Sequence, residues 1–352
     1  MKPRSFSDIK SVLIIKPSAL GDVVQSVAIA RAIKTQEPSI KLGWLVNAEI
    51  ASLLEPLSFL SKVHRFERQK LRGMSGLLKR RGLLIEMIRG LQAERYDAVI
   101  DLQGLARSAW FARSTRARVK VGFANARELA PFFYTIKVDV PDGPIHAMER
   151  YTLAAGAIGL DINAQLDGDL ESSDAERASV CAKLAAQGVS ADQALIVLCP
   201  GARWASKQWP ADRFAELAKA LHGDYAIALS GAPNERELCQ RVADFAGVPC
   251  ANLAGETSLR ELAALMREAR LCISNDSGPM HIAAAQRTPL VALFGPTDPA
   301  LTGPYGQLDH VLRAPAEGLE HRAYRRIPDD RIMRGLSTDE VIAEAHARLA
   351  AM

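Results

Sequence analysis

The sequence predicts an α/β protein made of two Rossmann-like domains, each a doubly wound parallel sheet. Three observations carry this. Short apolar, β-branched runs recur along the 352 residues, and runs this apolar suit parallel strands buried on both faces. Helical patterns fall between them, and repeated strand–helix alternation marks doubly wound domains. The series also breaks once. Residues 161–194 open with the polar stretch DINAQLDGDLESSDAERASV, run on as a helical tail, and a fresh series starts at Leu195. The expected domains are therefore 1–165 and 166–352, with the last helix free to pack back on the N-terminal one. A chain of this length holds two domains of ordinary size.

The elements follow in order. Val12–Ile15 is the first strand and leads into KPSALGDVVQ, residues 16–25. The amphipathic stretch Val23–Lys34 comes next, so Gly21 and Asp22 fall where a buried strand turns into a helix. Many nucleotide-binding folds place a glycine-rich phosphate loop there; this chain has one glycine and a carboxylate. Lys41–Val46, Asp97–Leu102 and Ile136–Val138 continue the first series. Leu195–Cys199, Tyr225–Ser230, Leu271–Ser274 and Leu290–Phe294 form the second. Helices are expected at Asp212–Leu221 and Leu259–Ala269. The latter follows Ser258-Leu-Arg-Glu261, a capping box whose two side chains satisfy each other's backbone N–H groups.

Apolar residues make up 48% and charged residues 24%, an ordinary soluble composition. No uncharged apolar run reaches the ~18 residues of a membrane span. The first run is too short for a secretory signal and leads into Lys16. Cys181, Cys199, Cys239, Cys250 and Cys272 form no C-x-x-C pair and read as reduced core residues of a cytosolic protein. The net charge of +4 hides an asymmetry: residues 1–165 hold 25 basic and 15 acidic residues, the remainder 19 and 25. Residues 62–120 alone hold 15 basic and 5 acidic. Such a field suits an anionic partner, or it is a solvated Arg-rich surface.

Missing motifs narrow the chemistry. No G-x-G-x-x-G follows the first strand, and there is no G-x-x-x-x-G-K-[ST], H-E-x-x-H or G-x-S-x-G. These absences speak against an ordinary dehydrogenase, a P-loop NTPase, a zinc hydrolase and an α/β-hydrolase. Three loops that follow strands stand out, where doubly wound folds place ligands. The first is the turn with Asp22. The second is CPGARWASKQWP (199–210), with Arg203 and Lys207 between Trp204 and Trp209. The third is ISNDSGPMHIAAA (273–285), where a helix is expected to start near Ser277–Gly278. Its unpartnered first N–H groups and positive dipole end suit a diphosphate. Asp276 could cap that helix or hold a sugar hydroxyl; His281, one turn on, could equally be a packed core histidine. Glu235, in LSGAPNERE (229–237), could accept from a ribose or a base, or be a helix-start acid.

Taken together, KPSALGDVVQ, YDAVIDLQGLARSA (96–109), NARELAPFFY (125–134), HAMERY (146–151), SKQWP (206–210), GAPNERE (231–237), NDSGPMH (275–281) and FGPTDPALTGPYG (294–306) resemble glycosyltransferase family 9, the bacterial heptosyltransferases of lipopolysaccharide core synthesis. The likeness runs over nearly the whole chain. HAMER and FGPTDP…YG favour the heptosyltransferase I branch. The resemblance implies the GT-B architecture, two Rossmann-like domains facing across a cleft. It implies an inverting, metal-independent transfer from ADP-L-glycero-D-manno-heptose, bound by the C-terminal domain, to a Kdo-bearing lipid A precursor bound by the N-terminal one. No cofactor, no metal and no nucleic acid are expected. The protein would be a monomer in the cytoplasm, peripheral on the inner membrane.

Carried over by position, Asp22 matches the catalytic base and Lys207 the leaving-group lysine. Glu235 matches a nucleoside contact, and Asp276, Ser277 and Gly278 match the heptose and phosphate site. Arg203, Thr257 and His281 join the expected donor set. Arg127, His146 and Arg150 match acceptor-side positions, and Arg68, Lys70 and Arg72 fall in a basic acceptor loop. Ala202 and Arg203 stand where the branch carries a pair of threonines, and Thr257 where it carries a methionine; both departures touch the donor contacts.

Overall fold

The structure, a computed structural model, describes residues 9–71, 81–160, 167–190, 192–315 and 323–351. The chain divides into two compact units, Met1–Glu171 and Ser172–Met352.

The first unit runs β1 (Ser11–Ile15), α1 (Leu20–Gln36), β2 (Lys41–Asn47), α2 (Ala48–Leu54), β3 (Lys62–Phe66), α3 (Arg81–Ala93), β4 (Ala98–Asp101), α4 (Ala106–Ser114), β5 (Val119–Phe123), β6 (Ile136–Val138) and α5 (Ala147–Gly156). Its six strands are parallel in the order β3-β2-β1-β4-β5-β6. β1 is buried along its whole length. Each such Val, Leu or Ile contributes roughly 1.5–3 kcal/mol by leaving water. Leu13, Ile15, Leu45, Val99 and Phe111 share one core, where Phe66 meets Phe111 edge-on at 5.1 Å.

The second unit runs α6 (Asp174–Ala186), β7 (Leu195–Cys199), α7 (Ala211–Leu221), β8 (Ala226–Leu229), α8 (Arg236–Ala246), β9 (Ala251–Asn252), α9 (Leu259–Glu268), β10 (Leu271–Asn275), α10 (Gly278–Ala285), β11 (Leu290–Phe294), α11 (Pro299–Thr302), β12 (Val311–Arg313) and α12 (Thr338–Ala350). Its sheet is also parallel, in the order β12-β11-β10-β7-β8-β9. Counted within each unit, both sheets have the order 3-2-1-4-5-6. In each, the chain reverses direction across the sheet beside its first strand. This switch point is where such folds bind ligands, at the carboxyl ends of the strands. Both units are doubly wound parallel sheets, as the sequence predicts.

The capping box of α9 forms as expected: Glu261 N–H donates to Ser258 Oγ at 3.2 Å, and Ser258 N–H to Glu261 Oε2 at 2.8 Å. Four strands go beyond the sequence reading: β3, β5, β9 and β12. β9 has two residues, and β3 carries the exposed charges Lys62 and Arg65 on a sheet edge. Neither makes the continuous apolar run that marks a central strand.

Two expectations change. The polar stretch is not a linker throughout. Residues 167–171 stay with the first unit, because Arg31 Nη2 donates to Asp169 O at 2.6 Å and pairs with Glu171 at 3.1 Å, and Glu171 accepts Ser58 N–H at 2.8 Å. α6 belongs to the second unit, where Glu176 pairs with Arg260 at 2.7 Å. α12 buries Val341, Ala345 and Leu349 in the second unit's own core. All five cysteines are free thiols, but Cys181 is exposed and Cys250 only half-buried; Cys199, Cys239 and Cys272 are core residues.

Candidate active site

The loops after β7 and β10 are bolted together. Asn275, the last residue of β10, donates from Nδ2 to Pro200 O at 2.8 Å and accepts Trp209 N–H at 3.0 Å. The Trp209 ring is fully buried, packs edge-on to Phe214 at 5.0 Å, and donates to Leu336 O at 3.0 Å. Gln208 closes the loop on Ala202 O at 2.7 Å. With both ends held, the single turn Ala205–Lys207 delivers Lys207 to Asp276. Their Nζ–Oδ2 distance is 2.5 Å, and Thr297 donates its hydroxyl to the same oxygen at 2.5 Å. The two charged side chains are 13% and 7% exposed.

α10 begins two residues after Asp276. Its cap position is Ser277, with extended backbone and no side-chain capping bond. The Ser277 hydroxyl is buried and makes no hydrogen bond. Asp276 therefore answers the question left open in the sequence: its Oδ2 holds Lys207 and Thr297, and it is not the cap. A helix start with Gly278 in its first turn, a lysine and an unsatisfied hydroxyl suits an anion.

Glu235 lies half-buried after β8, its Oε2 accepting Ala232 N–H at 2.7 Å. Its carboxylate presses on Gly201: a Cβ there would sit 2.2 Å from Glu235 Cδ. The backbone that opens the lysine loop thus touches Glu235 directly. Arg203 is exposed, its guanidinium over the Trp204 ring at 5.4 Å. Thr257 is half-buried in the turn between β9 and α9, and His281 is 9% exposed within α10. Arg203 and Thr257 stand outside the hydrogen-bonded cluster. Thr297 and Asn275 belong to it and were not expected; Thr297 was legible only as a hydroxyl inside FGPTDP, directly after a strand.

In the first unit Asp22 is the third residue of α1. Its Oδ2 accepts Ala19 N–H at 3.2 Å and pairs with Lys16 Nζ at 3.4 Å; its Oδ1 accepts the Tyr151 hydroxyl at 3.0 Å. The Lys16 side chain is 5% exposed and that of Asp22 34%. Lys16 Nζ also donates to Leu102 O at 3.3 Å and lies 5.1 Å from the Tyr151 ring centre. Burial, reinforced by the Asp22 charge and hydrogen bond, pushes the Tyr151 phenol well above its ordinary pKa, so it stays a proton donor.

Beside this turn, Asp101 at the end of β4 is fully buried. It accepts from Tyr134 O–H at 2.7 Å, Gln103 N–H at 2.9 Å and Gly104 N–H at 3.2 Å. Burial raises its pKa against the pull of these bonds. Gly122 leaves the space into which the Tyr134 ring fits. Gly104 O accepts Arg127 N–H at 3.2 Å, so Asp101 shapes the turn that seats Arg127. Arg127 is exposed, and Arg150 donates to Asn125 Oδ1 at 3.3 Å with its guanidinium on the Phe123 ring. Arg150 is thus bonded to a residue two positions before Arg127. His146 does not offer its ring at the surface: it is 4% exposed and its Nδ1 accepts Met148 N–H at 3.1 Å, capping α5. Arg68 and Lys70 are exposed on a separate loop, Lys70 pairing with Glu67 at 3.1 Å. Arg72 lies outside the described residues. Among the described residues no group of three or more His, Cys, Asp or Glu is placed to hold a metal, and no helix is long and apolar enough to cross a membrane.

A nucleotide-type helix start armed with a lysine in one unit, and an oriented carboxylate in the other, define a glycosyltransferase built on paired Rossmann-like units. Residues 84–327 match glycosyltransferase family 9 (heptosyltransferase), and the chain belongs to that family. It is 32% identical to lipopolysaccharide heptosyltransferase 1 of Escherichia coli K12 over 317 residues, 88% of this chain and 95% of that one. It is 27% identical to the lipopolysaccharide core heptosyltransferase OpsX of Haemophilus influenzae over 308 residues, covering 86% and 84%. The structure of Escherichia coli heptosyltransferase WaaC with ADP superposes with a TM-score of 0.79 at 27% identity, covering 96% of this chain and 99% of that one.

Proposed function

We propose that this chain moves L-glycero-D-manno-heptose from ADP-heptose to a Kdo residue of a lipid A–Kdo acceptor, the heptosyltransferase I step of inner-core synthesis. The observation that carries the donor half is the Lys207–Asp276–Thr297 cluster at the start of α10, beside the unsatisfied Ser277 hydroxyl. A relative named heptosyltransferase 1 at 32% identity supports the branch, and ADP in the WaaC structure supports the nucleotide. The basic first unit, with Arg127 and Arg150, suits an acceptor bearing carboxylates and phosphates at a membrane surface.

The chemistry is one displacement. The acceptor oxygen bonds to the anomeric carbon, the bond from that carbon to the ADP phosphate breaks, and the hydroxyl proton passes to Asp22. Attack opposite the leaving ADP inverts the centre. The proton transfer is worth about 10²–10⁴ in rate. Lys207 and the α10 N-terminus stabilise the charge that grows on ADP. Arg203 adds a cation near the donor loop, which favours a second reading in which a family 9 relative uses a different sugar nucleotide.

The test incubates the purified chain with ADP-heptose, and with GDP- and UDP-sugars, against Kdo–lipid A and against its heptosylated product, reading transfer by mass spectrometry. Transfer from ADP-heptose to Kdo–lipid A alone is expected. Transfer only to the heptosylated acceptor, or only from another nucleotide, overturns the branch. Asp22→Asn should lose turnover by about 10²–10⁴ while ADP affinity holds; near-normal turnover removes Asp22 as the base.

A further inference from the structure

We infer that Tyr151 is a positioning residue for Asp22: its hydroxyl sets the orientation in which that carboxylate meets the acceptor. The inference rests on Asp22 being the proposed base. The two carboxylate oxygens are held from different sides. Oδ2 lies against elements before and at the start of α1, through Lys16 and Ala19 N–H. Oδ1 is gripped from α5, through the Tyr151 hydroxyl at 3.0 Å. Rotation about the terminal bond of the aspartate would exchange the two, and the phenol opposes it.

The partner is well chosen for that task. Tyr151 is 4% exposed, so it does not compete for the acceptor itself. Its phenol keeps its proton, so it can donate to the carboxylate and cannot take the acceptor's proton in Asp22's place. The Lys16 ammonium lies over its ring, which pins the ring independently of the hydroxyl. The same helix carries Arg150, bonded to Asn125. α5 thus ties the orientation of the base to a cation proposed to hold the acceptor. A carboxylate aimed wrongly by ångström amounts loses rate and not affinity, since orientation enters the transition state and not ground-state binding.

The experiment compares Tyr151→Phe, Asp22→Asn and the double variant by steady-state kinetics with Kdo–lipid A and by ADP titration. Tyr151→Phe should lower kcat by about 10- to 100-fold with acceptor KM and ADP affinity unchanged. In the Asp22→Asn background it should do nothing more, because the two act as one unit. Replacing Tyr151 with 3-fluorotyrosine, which keeps ring and donor, should retain wild-type kcat. Wild-type kcat in Tyr151→Phe, with Asp22→Asn inactive, overturns this inference and leaves Asp22 as the base. An active Asp22→Asn instead overturns the base assignment. Equal loss with 3-fluorotyrosine and with Phe, or a raised acceptor KM, reduces Tyr151 to packing and overturns the positioning role.

Discussion

Replacing Lys207 by Met separates what the lysine does for the fold from what it does for the donor. Its ammonium lies 2.5 Å from Asp276, with the two side chains 13% and 7% exposed. Removing one member of a buried ion pair ordinarily costs about 3–5 kcal/mol. Asp276 keeps the Thr297 hydroxyl and stands near the positive end of α10, each worth about 1 kcal/mol. The net loss is then about 1–3 kcal/mol. A unit of this size shifts about 2–4 °C per kcal/mol, so the calorimetric transition should fall by about 2–12 °C. The double variant Lys207→Met/Asp276→Asn removes both charges and should regain most of that loss. It should not regain turnover, because nothing then offsets the charge on departing ADP; the deficit should stay near 10²–10³-fold. Saturating ADP should raise the wild-type transition by mass action and that of either variant less. The readings are scanning calorimetry with and without ADP, and single-turnover transfer. A Lys207→Met chain that melts and binds ADP like wild type refutes the buried pair. A double variant with restored turnover refutes the leaving-group role.

Two further outcomes follow from the geometry. Gly201→Ala would drive a Cβ to 2.2 Å from Glu235 Cδ and break the bond from Ala232 N–H. ADP affinity should weaken about tenfold, matching Glu235→Ala without adding to it; calorimetric titration showing wild-type affinity in Gly201→Ala removes Glu235 from the donor site. His64, bonded to Tyr96 at 2.9 Å, is held neutral to about pH 4 by burial and by the Lys62 charge. The unfolded chain binds that proton from about pH 6.5, so stability is whole above 6.5 and declines towards pH 4, by at most about 3 kcal/mol. Urea midpoints should fall over that range in the wild type and fall less in His64→Gln; parallel curves would show that His64 titrates freely.

Central strands were readable because both faces are buried, which leaves a run such as Leu195–Cys199 with no polar position. Edge strands were not, since β3 must keep Lys62 and Arg65 on solvent and β9 spans two residues. The site divided in the same way. Lys207, Asp276 and Ser277 sit in loops directly after buried strands, where the fold itself points to ligands, and Asp22 occupies the equivalent turn. Thr297, Asn275 and Tyr151 join the site by contacts across 21 to 129 residues of chain, and no local pattern encodes such distances. His146 is a motif residue with a structural task besides any at the acceptor: its Nδ1 caps its own helix.

The repeated sheet order explains why one unit carries an acid and the other a phosphate-type site. At both switch points a lysine is paired with an aspartate. In the first unit the lysine is buried at 5% and the aspartate open at 34%; in the second both are withdrawn, the lysine slightly less so at 13% against 7%. The member left towards solvent decides what the crevice offers. A half-buried carboxylate backed by a buried ammonium presents a proton acceptor. A lysine backed by a buried carboxylate and set at a helix start presents positive potential to a diphosphate. Asp22 could not share its turn with a phosphate, because its own charge would repel one at that range. On the proposed assignment glycines at the first turn would be useless to this chain for the same reason, and Ser277 and Gly278 after β10 would do their work.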